Sequence, residues 1–360
     1  MVAERDYHGT SLSKWIEGTG PEADVVVSSR VRLARNIKDL AFPHRMSDEQ
    51  ADSLLKTMET VAEELFITAE QCDDSAAKHP LVRLDQISAN DRHIYVEKHL
   101  ISPLLAERNH GRGVILNSDE TVSIMINEED HVRIQCILPG LQLQEAWDQA
   151  TQVDDQMESV LDVAFDENVG YLTACPTNVG TGLRASVMMH LPGLVMTKRI
   201  NRIINAISQL GLTVRGLYGE GTDAHGSFFQ VSNQITLGQS EEEIISKLVG
   251  VTQQLIHQER SAREALYRNK GWALEDRLFR AYGILSHARL IDSQEAMRLL
   301  SDLRLGVQLG LFPELNNGLL TELMVLMRSA YLQKFAGREL DSADRDILRA
   351  ELFREYLATG

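Results

Sequence analysis

Residues 173–186 read TACPTNVGTGLRAS, with a cysteine before a proline, two glycines in a turn-rich run and an arginine just beyond them. The spacing GTGLRA satisfies the G-x-G-x-x-A fingerprint of dinucleotide-binding turns and suggests that Arg184 opens a helix. That fingerprint also needs a strand-ending acid further on, where TKRINRII has a helical pattern instead. A Walker loop needs Gly-Lys before Ser or Thr, and a cysteine phosphatase loop needs arginine where this chain has Thr181. A structural turn at Gly180 and Gly182 remains the simplest interpretation of the spacing.

The segments around this stretch mix strand and helix patterns. YLTAC predicts a strand before it, while LTVRGLY and FFQVSN predict strands that flank the glycine-rich loop GEGTDAHGS. TVSIMINEEDHVRIQCIL predicts a hairpin with the acidic NEED at its tip. SDEQ at Ser47 and SEEE at Ser240 are capping-box signals for two helices, the second running toward residue 257.

Nearer the start of the chain, DVVVSSRVRLARNI predicts a first strand with two chemically different faces. Val31 and Leu33 would lie on an apolar face, and Arg32 and Arg35 would alternate with them. From about residue 258 the pattern becomes wholly amphipathic and helical, with short breaks. We therefore expect a mixed domain over residues 1–257 and an all-helical domain over residues 258–360, packed together because no long flexible linker separates them.

Composition limits the classes of function. A net charge of −16 over 360 residues disfavours non-specific binding to nucleic acid, because a polyphosphate backbone would be repelled. The chain has no basic segment followed by an apolar run at its start and no apolar stretch long enough to span a membrane, so we expect a cytoplasmic protein. Cys72, Cys136 and Cys175 lack the spacing of a disulfide framework or a zinc site.

Arginines recur at the predicted strand ends in spite of the negative net charge. Guanidinium groups bind phosphate oxygens in bidentate geometry and keep their charge, so several in one cleft would suit a nucleoside triphosphate. Glu129 and Glu220 occupy adjoining loops. We expect a convergence of these two acids with Arg30, Arg32, Arg133, Arg184 and Arg215.

Four segments, in order, resemble the successive motifs of the phosphagen (guanidino) kinases: SSRVRLAR, NEEDHVRI, YLTACPTNVGTGLRAS and VRGLYGEGTDAHGSFFQVSNQITLGQSE. The resemblance implies an α+β fold, in which an antiparallel sheet flanked by helices forms the catalytic domain and an all-helical C-terminal domain follows. It implies transfer of the γ-phosphoryl of ATP, with Mg²⁺ held mainly through the nucleotide phosphates and no metal site made by the protein alone. The nucleotide-binding set it implies is Ser28, Ser29, Arg30, Val31, Arg32, His93, Arg133, Arg184, Ala185, Ser186, Val187, Met188, Arg215, Gly216, Leu217, Tyr218 and Gly219.

The same resemblance assigns the acceptor side of the reaction. Glu129 and Glu220 would grip the planar guanidinium, and one of them would accept its proton as the N–P bond forms. Cys175 would lie beside the reacting nitrogen and act through its charge rather than as a nucleophile. Met188 stands where the family has an adenine-side histidine, which leaves the base contact looser.

Two further features favour the bacterial protein-arginine kinases, the McsB-like members of this superfamily. Only about 27 residues precede SSRVR, whereas the small-molecule guanidino kinases have a helical domain there that closes over free substrate. The helical C-terminal segment ends in RDILRA, which is similar to the RDxxRA motif of an allosteric phosphoarginine pocket, through Arg345, Asp346, Arg349 and Ala350.

This closer resemblance implies partners as well as chemistry. It implies protein substrates with accessible arginines that are marked for a Clp-type protease in a stress response, a McsA-like activator or adaptor, a transcriptional repressor as client, and a homodimer. It implies neither a nucleic acid nor a membrane as a direct partner. A kinase of free arginine and an inactive phosphoarginine-binding scaffold remain as alternatives.

Overall fold

The computed structural model describes residues 12–65, 81–216 and 225–358. Within them the strands are β1 (Val26–Arg35), β2 (Val82–Arg83), β3 (Gly113–Leu116), β4 (Val122–Ile126), β5 (Val132–Pro139), β6 (Phe165–Asp166), β7 (Gly170–Tyr171), β8 (Leu183–His190), β9 (Leu212–Gly216) and β10 (Phe228–Asn233). The helices are α1 (Asp48–Leu65), α2 (Ala89–Glu97), α3 (Pro103–Glu107), α4 (Leu143–Glu158), α5 (Pro192–Met196), α6 (Ile200–Gln209), α7 (Glu241–His287), α8 (Ser293–Gln308), α9 (Asn317–Leu326), α10 (Ser329–Ala336) and α11 (Ser342–Ala358).

The centre of the molecule is one antiparallel sheet, as the resemblance implied. Its strand order, among the described strands, is β2-β3-β4-β5-β1-β8-β10-β9, and every neighbouring pair is antiparallel. The predicted hairpin is confirmed as β4 and β5, with NEED between them. Both capping boxes form: Ser47 and Gln50 exchange hydrogen bonds, and Ser240 and Glu243 do the same at the start of α7.

The residues after Gly182 form strand β8, so the prediction of a helix opening at Arg184 is wrong. LRASVMMH alternates, placing Ala185, Val187 and Met189 in the core, and it pairs with β1 on one side and β10 on the other. The hydrogen bonds of these two ladders pair the backbone amide and carbonyl groups of the segment. The glycine spacing alone gives no indication of such strand pairing.

YLTAC is also not a strand as predicted. Only Tyr171 belongs to one, in the small β6–β7 hairpin. Beyond it the backbone is held by side chains, because the amide of Ala174 donates to Asp130 and the hydroxyl of Thr173 donates to the carbonyl of Cys175. Pro176, which has no amide hydrogen to donate, follows directly, and the segment forms a turn.

The two faces of the sheet differ in chemistry, because successive side chains point to opposite sides. One face is apolar and packs against α1, α4, α6 and the first half of α7 around residues such as Val31, Leu33 and Val187. Arg35 lies on this apolar side, not with Arg32 as predicted. It is buried against α4, where its guanidinium donates to Asp154.

The C-terminal part of the chain is helical. The segment LLTELMVLMRSAYLQKFAG, whose amphipathic pattern predicts one helix, is broken at Met327–Arg328 into α9 and α10. α7 continues through residues 257 and 258 to His287, with a kink at Lys270. The helices enclose a second apolar cluster that includes Val27, Met188 and Phe228 from the sheet. They therefore cover one end of the face that carries the arginines, and the division at residue 257 stays a prediction. No helix within the described ranges is long and apolar enough to cross a membrane.

Candidate active site

A polar cleft of about 310 Å³ lies on the face of the sheet opposite α4 and α6. Its lining comes from five strands of the sheet (β1, β5, β8, β9 and β10), from the NEED turn and from the loop after β7. The lining residues are Arg30, Arg32, Ala34, Glu129, Arg133, Cys175, Thr177, Asn178, Gly182, Arg184, Arg215, Gln230 and Ser232.

Strand register brings the predicted arginines together. On β1 and β8, Arg32 is directly opposite Arg184, and Arg30 is opposite Ser186. On the other side of β1, Ala34 is opposite Arg133. Directly opposed like charges destabilise a sheet, so this arrangement favours an anion that bridges the guanidinium groups.

The electrostatics of the two central arginines supports the same conclusion. Burial, together with the charges of three neighbouring arginines, lowers the pKa of Arg32 well below the ordinary guanidinium value. Burial and the charges of Arg215 and Arg133 also lower the pKa of Arg184. The buried Nε atoms of Arg32 and Arg184 have no hydrogen-bond partner among the described residues. Because arginine keeps its proton in proteins, a bound anion would offset this burial and repulsion, whereas deprotonation would not occur.

The NEED turn supplies the acidic wall of the cleft. Glu128 is buried, accepts a hydrogen bond from Ser102 and contacts Arg133 at 2.7 Å. Glu129 contacts Arg133 at 3.0 Å, and its side chain remains 40 % exposed. Arg133 is therefore shared between the two carboxylates, and Glu129 is the acid that reaches the cleft.

The loop that carries Cys175 is fixed by hydrogen bonds on both sides. Asp130 accepts the amide of Ala174 at 2.6 Å, and the thiol of Cys175 lies 3.0 Å from the hydroxyl of Thr177. Cys136 is a contrasting case, because burial raises the pKa of its thiol to about 12. Cys175 is thus the thiol that faces the cleft among the two described cysteines.

Two positions in the loop between β7 and β8 require glycine for steric reasons. Gly180 and Gly182 both adopt positive φ, at 113° and 65°. A Cβ at Gly180 would lie 2.4 Å from the carbonyl oxygen of Thr236, and one at Gly182 would lie 2.6 Å from the guanidinium of Arg35. Both positions therefore need glycine for the turn.

Several predicted nucleotide residues do not line the cleft. Ser29, Val31, Ala185 and Val187 alternate with the arginines and are buried, with the last three in the apolar core. The hydroxyl of Ser29 donates to Gly140. These four side chains therefore do not face a nucleotide in the cleft.

The remaining predicted residues lie elsewhere. Ser186 is buried on β8, where its hydroxyl accepts a hydrogen bond from Nε of Arg30. Ser28 and Met188 are buried where the cleft meets the helical part, while Gly216 ends β9. His93 is exposed on α2, hydrogen-bonded to the carbonyl of Ala89, and does not line the cleft. The predicted residues that lie outside the described ranges are Leu217, Tyr218, Gly219 and Glu220.

The RDILRA residues are on α11, distant in sequence from the cleft. Arg345 donates to the carbonyl of Leu340. Arg349 is buried, and it donates to the carbonyls of Met327 and Ile291 and to Asp346. Both guanidinium groups are engaged within the protein, so the predicted phosphoarginine pocket stays a prediction.

Some lining residues were missed by the sequence analysis. Gln230 and Ser232 alternate with core residues on β10, and Asn178 and Thr177 follow Cys175. The alternation in FFQVSN was the available signal, because it marks two polar side chains on the face opposite the core.

Comparisons with known proteins agree with this geometry. Residues 58–262 match the model of the ATP:guanido phosphotransferase C-terminal catalytic domain, and residues 272–360 match that of the protein-arginine kinase McsB C-terminal domain. A crystal structure of lombricine kinase superposes with a TM-score of 0.56 at 25 % identity, covering 69 % of this chain and 70 % of that one. The duplicated taurocyamine kinase of Schistosoma mansoni, free of substrate, gives a TM-score of 0.57 at 25 % identity, over 73 % of this chain and 36 % of that one.

Fold and cleft together define an ATP-using phosphotransferase of the phosphagen kinase class. Protein-arginine kinases of two bacteria are similar over nearly the whole chain. That of Desulforamulus reducens is 53 % identical over 345 residues, covering 96 % of this chain and 95 % of that protein. That of Bacillus subtilis is 52 % identical over 347 residues, covering 96 % and 94 %. This chain belongs to the protein-arginine kinase family.

Proposed function

We propose that this enzyme transfers the γ-phosphoryl of ATP to a guanidinium nitrogen of arginine side chains in proteins. The observation that carries the proposal is the cleft in which Arg30, Arg32, Arg133, Arg184 and Arg215 line one region and Glu129 and Cys175 lie beside them. The names of the similar bacterial proteins support arginine in a protein as the acceptor.

The arginines act on the donor. Phosphoryl transfer requires in-line positioning and neutralisation of the phosphoryl oxygens rather than a covalent intermediate. These guanidinium groups are fixed by the sheet, and the buried Nε atoms of Arg32 and Arg184 have no hydrogen-bond partner among the described residues. They can therefore provide that neutralisation without having to reorganise. The same groups hold the triphosphate so that its terminal phosphorus faces the NEED turn.

Glu129 acts on the acceptor. A guanidinium is protonated at ordinary pH and must lose a proton when its nitrogen attacks phosphorus. The exposed part of Glu129 can accept two N–H groups of the planar fork and orient one nitrogen toward the phosphoryl group. Glu220 is proposed as the second carboxylate of this pair, and one of the two takes the proton.

Cys175 is proposed to influence the same nitrogen. Its sulfur lines the cleft with Glu129 and Arg184, and the loop that holds it is tied to the NEED turn through Asp130. We assign it an electrostatic role toward the acceptor guanidinium, with no covalent bond to phosphorus.

Magnesium fits this cleft as a companion of the nucleotide. Among residues 12–65, 81–216 and 225–358 no three His, Cys, Asp or Glu side chains gather as a metal site. Glu128 and Glu129 are both in contact with Arg133, so the oxygens left for a cation are mainly those of the phosphates. When bound there, Mg²⁺ would neutralise charge on the β- and γ-phosphates.

The biological setting is part of the proposal. A phosphorylated arginine changes its charge from +1 to about −1 to −2, which a partner protein can read. We propose that marked clients are delivered to a Clp-type protease during stress, that a McsA-like activator takes part, and that a transcriptional repressor is among the clients. We also propose a cytoplasmic homodimer regulated by phosphoarginine at Arg345, Asp346, Arg349 and Ala350.

One assay separates this function from its alternatives. The enzyme is incubated with Mg-ATP and either an unfolded protein or free arginine, and acid-labile N–P bonds are followed by phosphorus NMR. We expect label on the protein. Label on free arginine alone would identify a small-molecule kinase, and label on neither would identify a scaffold.

A variant pair tests the residue assignment. Glu129→Gln keeps the shape of the side chain but loses the charge that orients the guanidinium, so kcat should fall by roughly a hundredfold or more while ATP affinity is retained. Glu145→Gln, at an exposed position on α4, should match the wild type. Wild-type turnover in Glu129→Gln would remove Glu129 from the reaction.

A further inference from the structure

The connection between α2 and α3, residues 98–102, packs against the face of the sheet that carries the cleft arginines. The carbonyl of His99 accepts a hydrogen bond of 2.8 Å from the side-chain amide of Gln135. Gln135 is buried on β5, directly opposite Arg32 on β1. It shares a face with Arg133, because strand residues two positions apart point to the same side. The connection therefore lies next to the arginines at the centre of the cleft.

The C-terminal end of this connection contacts the acidic wall of the cleft. The hydroxyl of Ser102 donates to Oε1 of Glu128 at 2.6 Å, and Oε2 of Glu128 contacts the guanidinium of Arg133 at 2.7 Å. Glu128 is buried, so its carboxylate has little freedom to find other partners. Ser102 also caps α3 by accepting the amide of Leu105. The orientation of Arg133 thus depends on where the connection holds Ser102.

The N-terminal end of the connection is fixed by the helical C-terminal part. Glu97, the last residue of α2, accepts the amides of Ala330 and Tyr331 at 2.9 Å and 3.2 Å. These amides belong to the first turn of α10, where the helix itself offers no carbonyl to accept them. A carboxylate also suits the positive end of the helix. Glu97 therefore caps a helix that lies more than 200 residues away in the chain.

The electrostatics of His99 places the connection between a cleft arginine and the C-terminal part. Burial lowers the pKa of its imidazole to about 3, and the charges of Arg30 and Arg328 contribute in the same direction. Arg30 lines the cleft, and Arg328 directly precedes α10. His99 also has φ of 60°, a conformation that a non-glycine residue keeps only where its surroundings hold it. A shift of α10 would therefore be felt at the connection.

We propose that Glu97 is a positioning residue through which the helical C-terminal part sets the affinity of the cleft for ATP. Residues 98–102 carry the position of α10 to Arg32 and Arg133. The proposal rests on the proposed function, because that function assigns these arginines to the donor phosphates, and it adds a regulatory contact to the same site.

The RDILRA segment contacts the same junction. Nε of Arg349 donates to the carbonyl of Met327 at 3.0 Å, and Met327 ends α9 two residues before α10 begins. A ligand that drew Arg349 away would free this carbonyl and change the support of α10. Glu97 is then the contact through which that change reaches the nucleotide.

The first test measures Mg-ATP binding by calorimetry in the absence of any acceptor. Glu97→Gln keeps the size of the side chain but loses the charge and one of the two oxygens that cap α10. We expect its Kd for ATP to rise about fivefold, a factor typical of coupling between sites, with the KM for a protein substrate unchanged. Glu107→Gln, at an exposed position on α3, is the matched control and should bind ATP as the wild type does.

A second set of variants tests the other end of the connection. Ser102→Ala loses the contact with Glu128 and should also raise the Kd for ATP, whereas Ser102→Thr retains a hydroxyl and should recover most of the affinity. Ser47→Ala removes a helix cap on α1 from a residue that does not line the cleft, and it should leave the Kd unchanged. Because Glu97 and Ser102 act through one connection, the double variant Glu97→Gln/Ser102→Ala should bind ATP no more weakly than the weaker single variant.

Hydrogen exchange examines the coupling in the opposite direction and needs no variant at Glu97. Coupling between sites is reciprocal, so saturating Mg-ATP should slow exchange of the amides of Ala330 and Tyr331 by a similar factor, about fivefold. In Ser102→Ala this slowing should be lost. A purely structural role of Glu97 would leave the exchange of these amides independent of ATP.

The outcomes separate the two levels of the argument. Wild-type ATP affinity in Glu97→Gln, effects that multiply in the double variant, or exchange at α10 that ignores ATP would each overturn the role of Glu97. If the wild type bound ATP but phosphorylated no acceptor, the proposed function would fail, while the affinities and exchange rates would still decide the role of Glu97.

Discussion

Asp130 connects the NEED turn to the loop that carries Cys175. Its carboxylate is fully buried, and Oδ1 accepts the amide of Ala174 at 2.6 Å and the side-chain amide of Asn36 at 2.7 Å. Asn36 in turn accepts the amide of His131 and donates to the carbonyl of Leu172. Glu129 and Cys175, the neighbours of these groups in sequence, are held at a fixed separation through this network.

Asp130 is therefore a positioning residue, and its loss should affect the acceptor side. Asp130→Ala leaves a buried amide pair without an acceptor, which costs about 1–3 kcal/mol of unfolding free energy. We expect lower kcat and higher KM for the acceptor in Asp130→Ala, with ATP affinity unchanged, measured by steady-state kinetics and urea unfolding. Asp130→Asn retains an acceptor oxygen and should recover much of the loss. An alanine variant with wild-type kcat and KM would limit Asp130 to a structural role.

At the scale of the elements, alternation in the sequence predicted where strands occur better than it predicted which strands pair with each other. Core and polar residues alternate in three predicted elements, and the structure confirms all three: β1, β10 and the NEED hairpin. β8 was mistaken for a helix because the glycine spacing outweighed an equally regular alternation from Leu183 to His190.

The site depends on information that local patterns do not contain. Each cleft arginine could be assigned to a polar strand face, but the pairing of Arg32 with Arg184 depends on register between segments far apart in the chain. Arg35 was placed on the wrong face, although alternation groups it with Val31 and Leu33, because its buried partner Asp154 is 119 residues away and a charge on the apolar face was not expected. The convergence of the arginines was expected from their recurrence at strand ends and from the motif resemblance, but not the residue pairs that form it.

The end of β8 carries a residue that should make stability depend on pH. His190 is fully buried, shares a hydrogen bond of 2.8 Å with the hydroxyl of Ser301 on α8 and packs on the ring of Phe228. Burial, followed by the charges of Arg304 and Arg263, lowers its pKa well below the ordinary histidine value. The folded protein therefore keeps His190 neutral where the unfolded chain would protonate it.

Burial of neutral His190 should make the folded protein less stable as the pH decreases. Below about pH 6.5 the unfolded state binds one more proton than the folded state at this position, so the unfolding free energy falls by up to about 1.4 kcal/mol per pH unit as the pH decreases. His190→Gln removes that contribution. We expect urea unfolding at pH 7 and pH 5 to show a smaller loss in the variant than in the wild type, even if the variant is less stable at both. Equal losses would show that His190 does not carry this dependence.

At the scale of the whole molecule, the helical C-terminal part contacts the sheet through buried polar groups as well as apolar ones. Arg304 of α8 is 1 % exposed and donates to the carbonyl of Ala23, just before β1. Glu259 of α7 is fully buried, accepts the amides of Gly193 and Leu194 at the start of α5 and contacts Arg263 at 2.6 Å. Buried hydrogen bonds and ion pairs of this kind fix orientation, so the helical part is expected to influence the loops near the cleft.

The turn His225–Ser227 offers a direct test of that influence, because it packs on α8 and directly follows residues 217–224, which include Glu220, in the chain. Gly226 has φ of 74°, and a Cβ there would lie 2.7 Å from the carbonyl oxygen of Met297 on α8. Gly238 has φ of 78°, but a Cβ there would meet no heavy atom within 4 Å among the described residues. Alanine at either position adds similar backbone strain, about 1 kcal/mol, and only Gly226→Ala must also push the turn away from α8.

We therefore expect the two alanine variants to differ in catalysis more than in stability. Gly226→Ala displaces a turn that closely follows Glu220, the second proposed carboxylate, in the chain, and kcat should fall by roughly tenfold to a hundredfold, as misplacement of a catalytic group by about 1 Å predicts. Gly238→Ala should keep kcat near the wild-type value, with a comparable decrease in unfolding free energy. Steady-state kinetics with a protein substrate and urea unfolding of both variants provide the comparison. If kcat fell equally in both, backbone strain alone would explain the effect, and the contact with α8 would have no part in placing the catalytic loop.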